Sequence, residues 1–165
     1  PDINLEADVR RILASVDESP EAPQAPESDA TITIEVSYEG PDLSSTATFF
    51  GISVTELVQA HTSQRWRVAM MGFAPGFGYL EPIDTPLLPW SSLPRRTTPR
   101  TTVPAGSVAL AAGMSAIYPT SSPGGWHLIG TSRRILFDPH NDSRPTLLIP
   151  GATVRFAAID HEPTP

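Results

Sequence analysis

No cysteine and no lysine occur anywhere in this sequence of 165 residues. Without cysteine there can be no disulfide, thiolate metal ligand or cysteine nucleophile. All 11 basic residues are therefore arginine, so neither a Walker-type phosphate lysine nor a Schiff-base lysine is available. Positive charge is scarce in sum as well: the formal net charge of -7 argues against a nucleic-acid or anionic-membrane footprint. No apolar run approaches the ~18 residues of a membrane span. A glycine-rich nucleotide loop, an HExxH pair and a calcium loop are all missing. The four histidines, His61, His127, His140 and His161, lack metal-ligand spacing, and no metal is expected. The absence of cysteine is compatible with the cytosol, and a cytoplasmic location is the expectation.

What the chain has in excess is proline. Its 19 prolines are about 12% of the residues, where ~5% is usual. Short strands and shaped loops should therefore outnumber long helices. The length suits one domain with a single core.

From the N-terminus, residues 3–16 read as a short helix, with Ile3, Val9, Ile12, Leu13 and Val16 spaced for one face. Residues 17–30 hold three prolines and five acids and read as a linker. A helix stranded before such a linker looks like the remnant of a preceding domain. The alternative is a capping helix of the domain that follows, over residues 31–165.

That domain opens with a half-buried strand over Thr31–Tyr38, where Ile32, Ile34 and Val36 alternate with polar residues. Gly40-Pro41-Asp42 ends it, and Asp42 is placed to cap a helix over Leu43–Phe50. Ser53 and Glu56 form a capping box for a second helix ending near His61. Strands are expected at Arg65–Phe73, Arg134–Phe137, Leu147–Ile149 and Thr153–Ile159, with Phe77–Leu80 extended. Residues 81–99, with five prolines, form a long stiff loop, and loops of that length are more often functional than idle. Together these elements predict a mainly β fold, a closed or nearly closed barrel with a helical side element.

The stretch 97–130 organises the rest. It alternates proline and glycine corners with runs such as Val108–Ala111, the pattern of short strands joined by loops that could build a site. Arg100, between Pro99 and Thr101, is either a fork for a carboxylate or phosphate or a surface ion pair. Tyr118 could donate a hydrogen bond into a pocket or simply pack. His127, after Gly124-Gly125-Trp126, could be a general acid or base, although a lone histidine in a strand is more often structural. Upstream, Phe73-Ala74-Pro75-Gly76-Phe77 could shape an amide cradle for an anion, or a tight turn with two aromatics in the core.

The runs GFAPGFGYL (72–80), TPRTTVPAGSVAL (98–110), IYPTSSPGGWHLIG (117–130), LFDP (136–139) and LLIPGATVRF (147–156) together resemble the allophanate hydrolase subunit 1 family. That family includes the KipI proteins and the B subunit of prokaryotic 5-oxoprolinase. The resemblance extends from about Thr31 to Ile159. It implies a cyclophilin-like β-barrel and, before it, a smaller α/β domain of which residues 3–16 would be the last helix. It also implies a partner of the allophanate hydrolase subunit 2 or KipA type (the C subunit of 5-oxoprolinase), as in the fused carboxyltransferase region of urea carboxylase. The implied activity is ATP-dependent opening of the 5-oxoproline lactam, with ATP and any magnesium held in the complex rather than by this chain alone. Arg100, Tyr118 and His127 are then the catalytic candidates. Phe73, Pro75, Gly76, Phe77, Pro99, Thr101, Gly124, Gly125 and Trp126 are the candidate substrate or anion contacts. The alternative within the family is a KipI-like module that inhibits a histidine kinase without chemistry. Relatives commonly read GGQTGIYP where this chain has Ala112 to Pro119, so Met114 stands in place of a glutamine.

Overall fold

The computed structural model describes residues 31–159. The expected helix at 3–16 and the linker at 17–30 lie outside them. Nine strands, two α-helices and one short 3-10 helix (Trp90–Ser92) make up the described chain: β1 (Ile32–Val36), α1 (Leu43–Phe50), α2 (Val54–Ser63), β2 (Trp66–Met71), β3 (Gly78–Pro82), β4 (Arg100–Val103), β5 (Ser107–Ala111), β6 (Met114–Ile117), β7 (Ser122–Gly124), β8 (His127–Thr131) and β9 (Thr153–Ala158). Seven strands form one sheet in the order β1-β9-β2-β3-β6-β5-β8, and β4 pairs with β7 as a separate ribbon.

The sheet curls until its two edges meet. Ser37, just past β1, exchanges two backbone hydrogen bonds of 2.9 Å with Thr131 at the end of β8. The seam continues as Gly40 N–H donates to Ile129 O and Asp42 N–H to Leu128 O. A Cβ on Gly40 would lie 2.3 Å from Leu128 O, so only glycine lets the chain cross β8 this closely. The nearly closed barrel expected from the strand pattern is present, and Gly40 is part of its closure as well as the end of β1.

The barrel has two apolar layers. The larger lies inside, around Ile34, Trp66, Leu80, Leu110, Ile117, Ile129, Val154 and Phe156. The smaller lies on the outer face of β3, β5, β6 and β8. Strand alternation sorts the residues: Val108 and Leu110 join the inner layer, Ala109 and Ala111 the outer one. This is why all five residues of β5 are buried. Helix α2 packs on β9 and α1 on α2 and β8. The capping box of α2 forms as read, with Ser53 Oγ accepting from Glu56 N–H and Glu56 Oε2 from Ser53 N–H. Among the described residues no helix is long and apolar enough to cross a membrane.

Two expected strands are not formed. Residues 134–137 and 147–149 form no ladder; near them lies an isolated bridge between Phe137 and Thr146. Pro139, Pro145 and Pro150 remove ladder donors here, leaving Asp138 N–H to Pro145 O and Leu147 N–H to Leu136 O. The apolar pattern predicted burial correctly, since Leu136 and Leu148 sit in the inner core, but not the strand pairing. His61, the last turn's imidazole in α2, is fully buried and stacks on Phe156 at 4.3 Å between centroids. Its Nδ1 meets Tyr38 Oη at 2.7 Å and its Nε2 meets Ser115 Oγ at 3.0 Å. Burial pushes its pKa down to about 3, so the ring is neutral in the folded chain.

Candidate functional site

The outer layer is where the sequence-predicted residues gather. The turn 72–77 is tight: Ala74 N–H donates to Gly72 O, Phe77 N–H to Ala74 O and Gly72 N–H to Phe77 O. Gly76 takes φ +80, and a Cβ there would lie 2.8 Å from Phe137 Cβ. Phe73 also has positive φ, at 68°, which is costly for an aromatic residue. The two aromatics divide: Phe77 is buried while Phe73 is 61% exposed. Pro75 is exposed at the tip.

Around Phe77 the rings form a connected cluster. Phe77 lies 5.3 Å from Tyr118, 4.9 Å from Tyr79 and 6.3 Å from Trp126, all near edge-to-face, and Phe73 adds contacts at 5.2 Å to Phe77 and 6.3 Å to Tyr118. Ala109, Ala111 and Ala116 form a floor of small side chains beneath them, and Met114, the residue in place of glutamine, packs at its side. The glycine loop fits closely against this cluster. A Cβ on Gly124 would sit 2.3 Å from Tyr118 Oη, and one on Gly125 3.6 Å from Pro99. Gly124 is also the β7 partner of Arg100 in β4. The loops at 73–77, 99–101 and 118–126 thus meet in one place.

Three arginines border this place, and one acid organises two of them. The Asp42 carboxylate is nearly buried and accepts from Arg96 Nη1 at 2.9 Å, Arg100 Nη2 at 2.8 Å and the Leu128 amide at 2.7 Å. Arg100 Nη1 stands 2.8 Å from Asp42 Oδ2, an ion-pair contact too oblique for a hydrogen bond. Burial pushes the Asp42 pKa up, but the Arg100 and Leu128 hydrogen bonds and the two guanidinium charges outweigh it and hold the carboxyl below its ordinary range. Asp42 does occupy the N-cap position of α1, yet its side chain makes no capping bond. The stronger charged partners take it instead. The Arg100 fork is therefore engaged within the protein.

Arg95 is held differently. Its guanidinium carbon lies 5.9 Å from the centre of the Trp126 ring. Burial raises the Tyr118 pKa, helped by nearby Tyr79 and opposed by the charges of Arg95 and Arg100. Pro99 and Thr101 are exposed on the rim, and Trp126 is buried. His127 points to the opposite side of β8 from Trp126 and Leu128, with its Nε2 2.9 Å from Pro94 O. It is not part of the ring cluster. Among the described residues no three His, Cys, Asp or Glu side chains gather as a metal site.

Asp42 as a ligand of arginine, and Arg95 and Arg96, join the site only in the structure. Asp42 is 54 and 58 residues from its arginines, so no local pattern marks it. The arginines did carry a signal: three of the chain's 11 fall within the six residues 95–100.

A mainly β barrel whose outer face carries an aromatic, arginine-bordered site is the class this geometry defines. Residues 2–148 match the carboxyltransferase domain, subdomains C and D, and the chain belongs to that family. It is 45% identical over 128 residues to the 5-oxoprolinase B subunit of Haemophilus influenzae, covering 76% of this chain and 58% of that one. The conserved protein PH0987 of Pyrococcus horikoshii superimposes with a TM-score of 0.72 at 35% identity, covering 94% of this chain and 68% of the other. The urea amidolyase of K. lactis matches with a TM-score of 0.68 over 96% of this chain and 11% of its own; at 19% identity that likeness shows the fold alone. The chain thus spans a little over half the length of the Haemophilus influenzae relative.

Proposed function

We propose that this chain is the barrel portion of a 5-oxoprolinase B subunit, and that it acts with a second protein, of the C-subunit type, to couple ATP cleavage to hydrolysis of the 5-oxoproline lactam. The observation that carries the reading is the meeting of the three loops at one aromatic, arginine-bordered place, in a chain 45% identical to a protein of that name. Lactam opening needs three things: a surface for a small ring, donors for charge developing on the carbonyl oxygen, and a water. Exposed Phe73 and half-buried Tyr79 offer the surface, backed by the buried rings of Phe77, Tyr118 and Trp126. Backbone amides of Gly76, Gly124 and Gly125, with the Tyr118 hydroxyl, are the candidate donors. Arg100, fixed by Asp42, sets the positive field at the loop ends. When bound, ATP supplies the driving force. Its triphosphate and any magnesium would lie in a cleft shared with the partner rather than on this chain alone.

The test is 5-oxoproline-dependent phosphate release from ATP by the full-length chain co-expressed with its C-type partner. Release that disappears in Arg100→Ala, while the pair still co-purifies, supports the reading. A stable pair without release points to another amide or urea-type substrate. Failure to form any pair removes the heteromeric enzyme from consideration.

A further inference from the structure

We propose that Arg95, lying over Trp126 beside Tyr118, recognises the carboxylate of the substrate; this rests on the lactam-opening reading above and assigns its substrate-binding cation. Of the three arginines at the site, two are already engaged by Asp42. Arg96 and Arg100 both donate to Asp42, and both terminal nitrogens of Arg100 lie 2.8 Å from that carboxylate. The end of the Arg100 fork that would grip a substrate carboxylate is already filled. Arg95 is exposed, and among the described residues no carboxylate lies within ion-pairing distance of it. What it has is a ring: Trp126, at 5.9 Å from its guanidinium carbon.

An arginine held on an aromatic face keeps its planar edge free for two parallel hydrogen bonds to a carboxylate, and the ring limits its rotamers in advance. The same ring adjoins Phe77 and Tyr79, and Phe77 adjoins Tyr118. A small neutral ring bearing one carboxylate fits this arrangement with its acid against exposed Arg95 and its ring toward half-buried Tyr79, which adjoins Trp126, and exposed Phe73.

The experiment compares two substrates in the co-expressed complex: 5-oxoproline, and 2-pyrrolidinone, the same lactam without its carboxylate. In Arg95→Ala the ratio of kcat/KM for 5-oxoproline to that for 2-pyrrolidinone should fall roughly 10- to 100-fold, the size of a charge-assisted hydrogen bond. Arg95→Lys should recover only part of the ratio, because a point charge lacks the fork. Arg100→Ala should lower both substrates together. An unchanged ratio in Arg95→Ala overturns the assignment. If the wild-type complex releases no phosphate, the lactam reading fails separately, and 5-oxoproline and glutarate are titrated onto the same complex by calorimetry. Heat that Arg95→Ala abolishes then supports the carboxylate site; no heat, or heat that survives the substitution, overturns it.

Discussion

Replacing Asp42 with asparagine probes the link between the barrel and its site most directly. The substitution keeps the shape and removes the charge. The carboxylate now accepts three donors at 2.7–2.9 Å, two of them guanidinium groups. Asparagine retains one acceptor oxygen and turns an amide donor toward a second donor. Breaking a fully buried ion pair costs about 3–5 kcal/mol. The Arg96 and Arg100 side chains keep 33% and 24% of their exposure, so water recovers part of that, leaving about 2–4 kcal/mol. With a urea slope of about 2 kcal/mol per M, the unfolding midpoint should drop by roughly 1–2 M. The pH dependence has a definite sign. The folded pKa of Asp42 is depressed, so its stabilisation is fully present above the unfolded value of about 3.9 and is lost as pH falls through the folded value. The gap between wild type and Asp42→Asn should hence be level from pH 5 to 8 and shrink below about pH 4. Urea titrations followed by tryptophan fluorescence measure both. A midpoint shift under ~0.3 M, or a gap unchanged by acid, would refute the reasoning.

Two further outcomes follow from the packing. His61 has a folded pKa near 3 against an ordinary value of 6.5, so acid protonates the unfolded chain first. Wild-type stability should fall by up to ~1.4 kcal/mol per pH unit below about pH 6.5, and His61→Phe should flatten that slope whatever its absolute stability; an unchanged slope in urea titrations at pH 5 and 6.5 counts against the buried neutral ring. Gly124→Ala forces a methyl to within 2.3 Å of Tyr118 Oη and should destabilise by about 1–3 kcal/mol. Tyr118→Phe in the same chain should return part of the loss, since it deletes the clashing oxygen, and strict additivity in thermal melts would disprove the contact.

Local physics made the sequence legible where neighbours along the chain settle the structure. The alternation of Ile32, Ile34 and Val36 produced β1, and Ser53 with Glu56 produced the cap of α2. Proline and glycine spacing marked the corners of the barrel. Legibility ended where a distant partner decides. Leu136 and Leu148 look like strand residues but lie in a proline-broken segment without a ladder. Asp42 looks like a helix cap, and only the curl of the sheet brings Arg96, Arg100 and the Leu128 amide to it. Arg100 could be singled out from Pro99-Arg100-Thr101, but its engagement by Asp42, and the availability of Arg95, depend on contacts that no spacing encodes.

The seam between the start of the barrel and β8 has a consequence for synthesis. Among the described residues strand β1 pairs only with β9, whose first residue lies 121 positions beyond that of β1, and its other neighbour in the seam ends at Thr131. As the chain leaves the ribosome, the alternating strand Ile32–Val36 has no ladder partner among the described residues until nearly the whole domain has emerged. Such an edge invites pairing with other chains. Asp42 is likewise made before both of its arginines and the Leu128 amide, so its carboxylate waits for residues 54 to 86 positions later. Slowing translation after residue 131 would prolong the stage at which β8 can meet Ser37 while β1 still lacks β9.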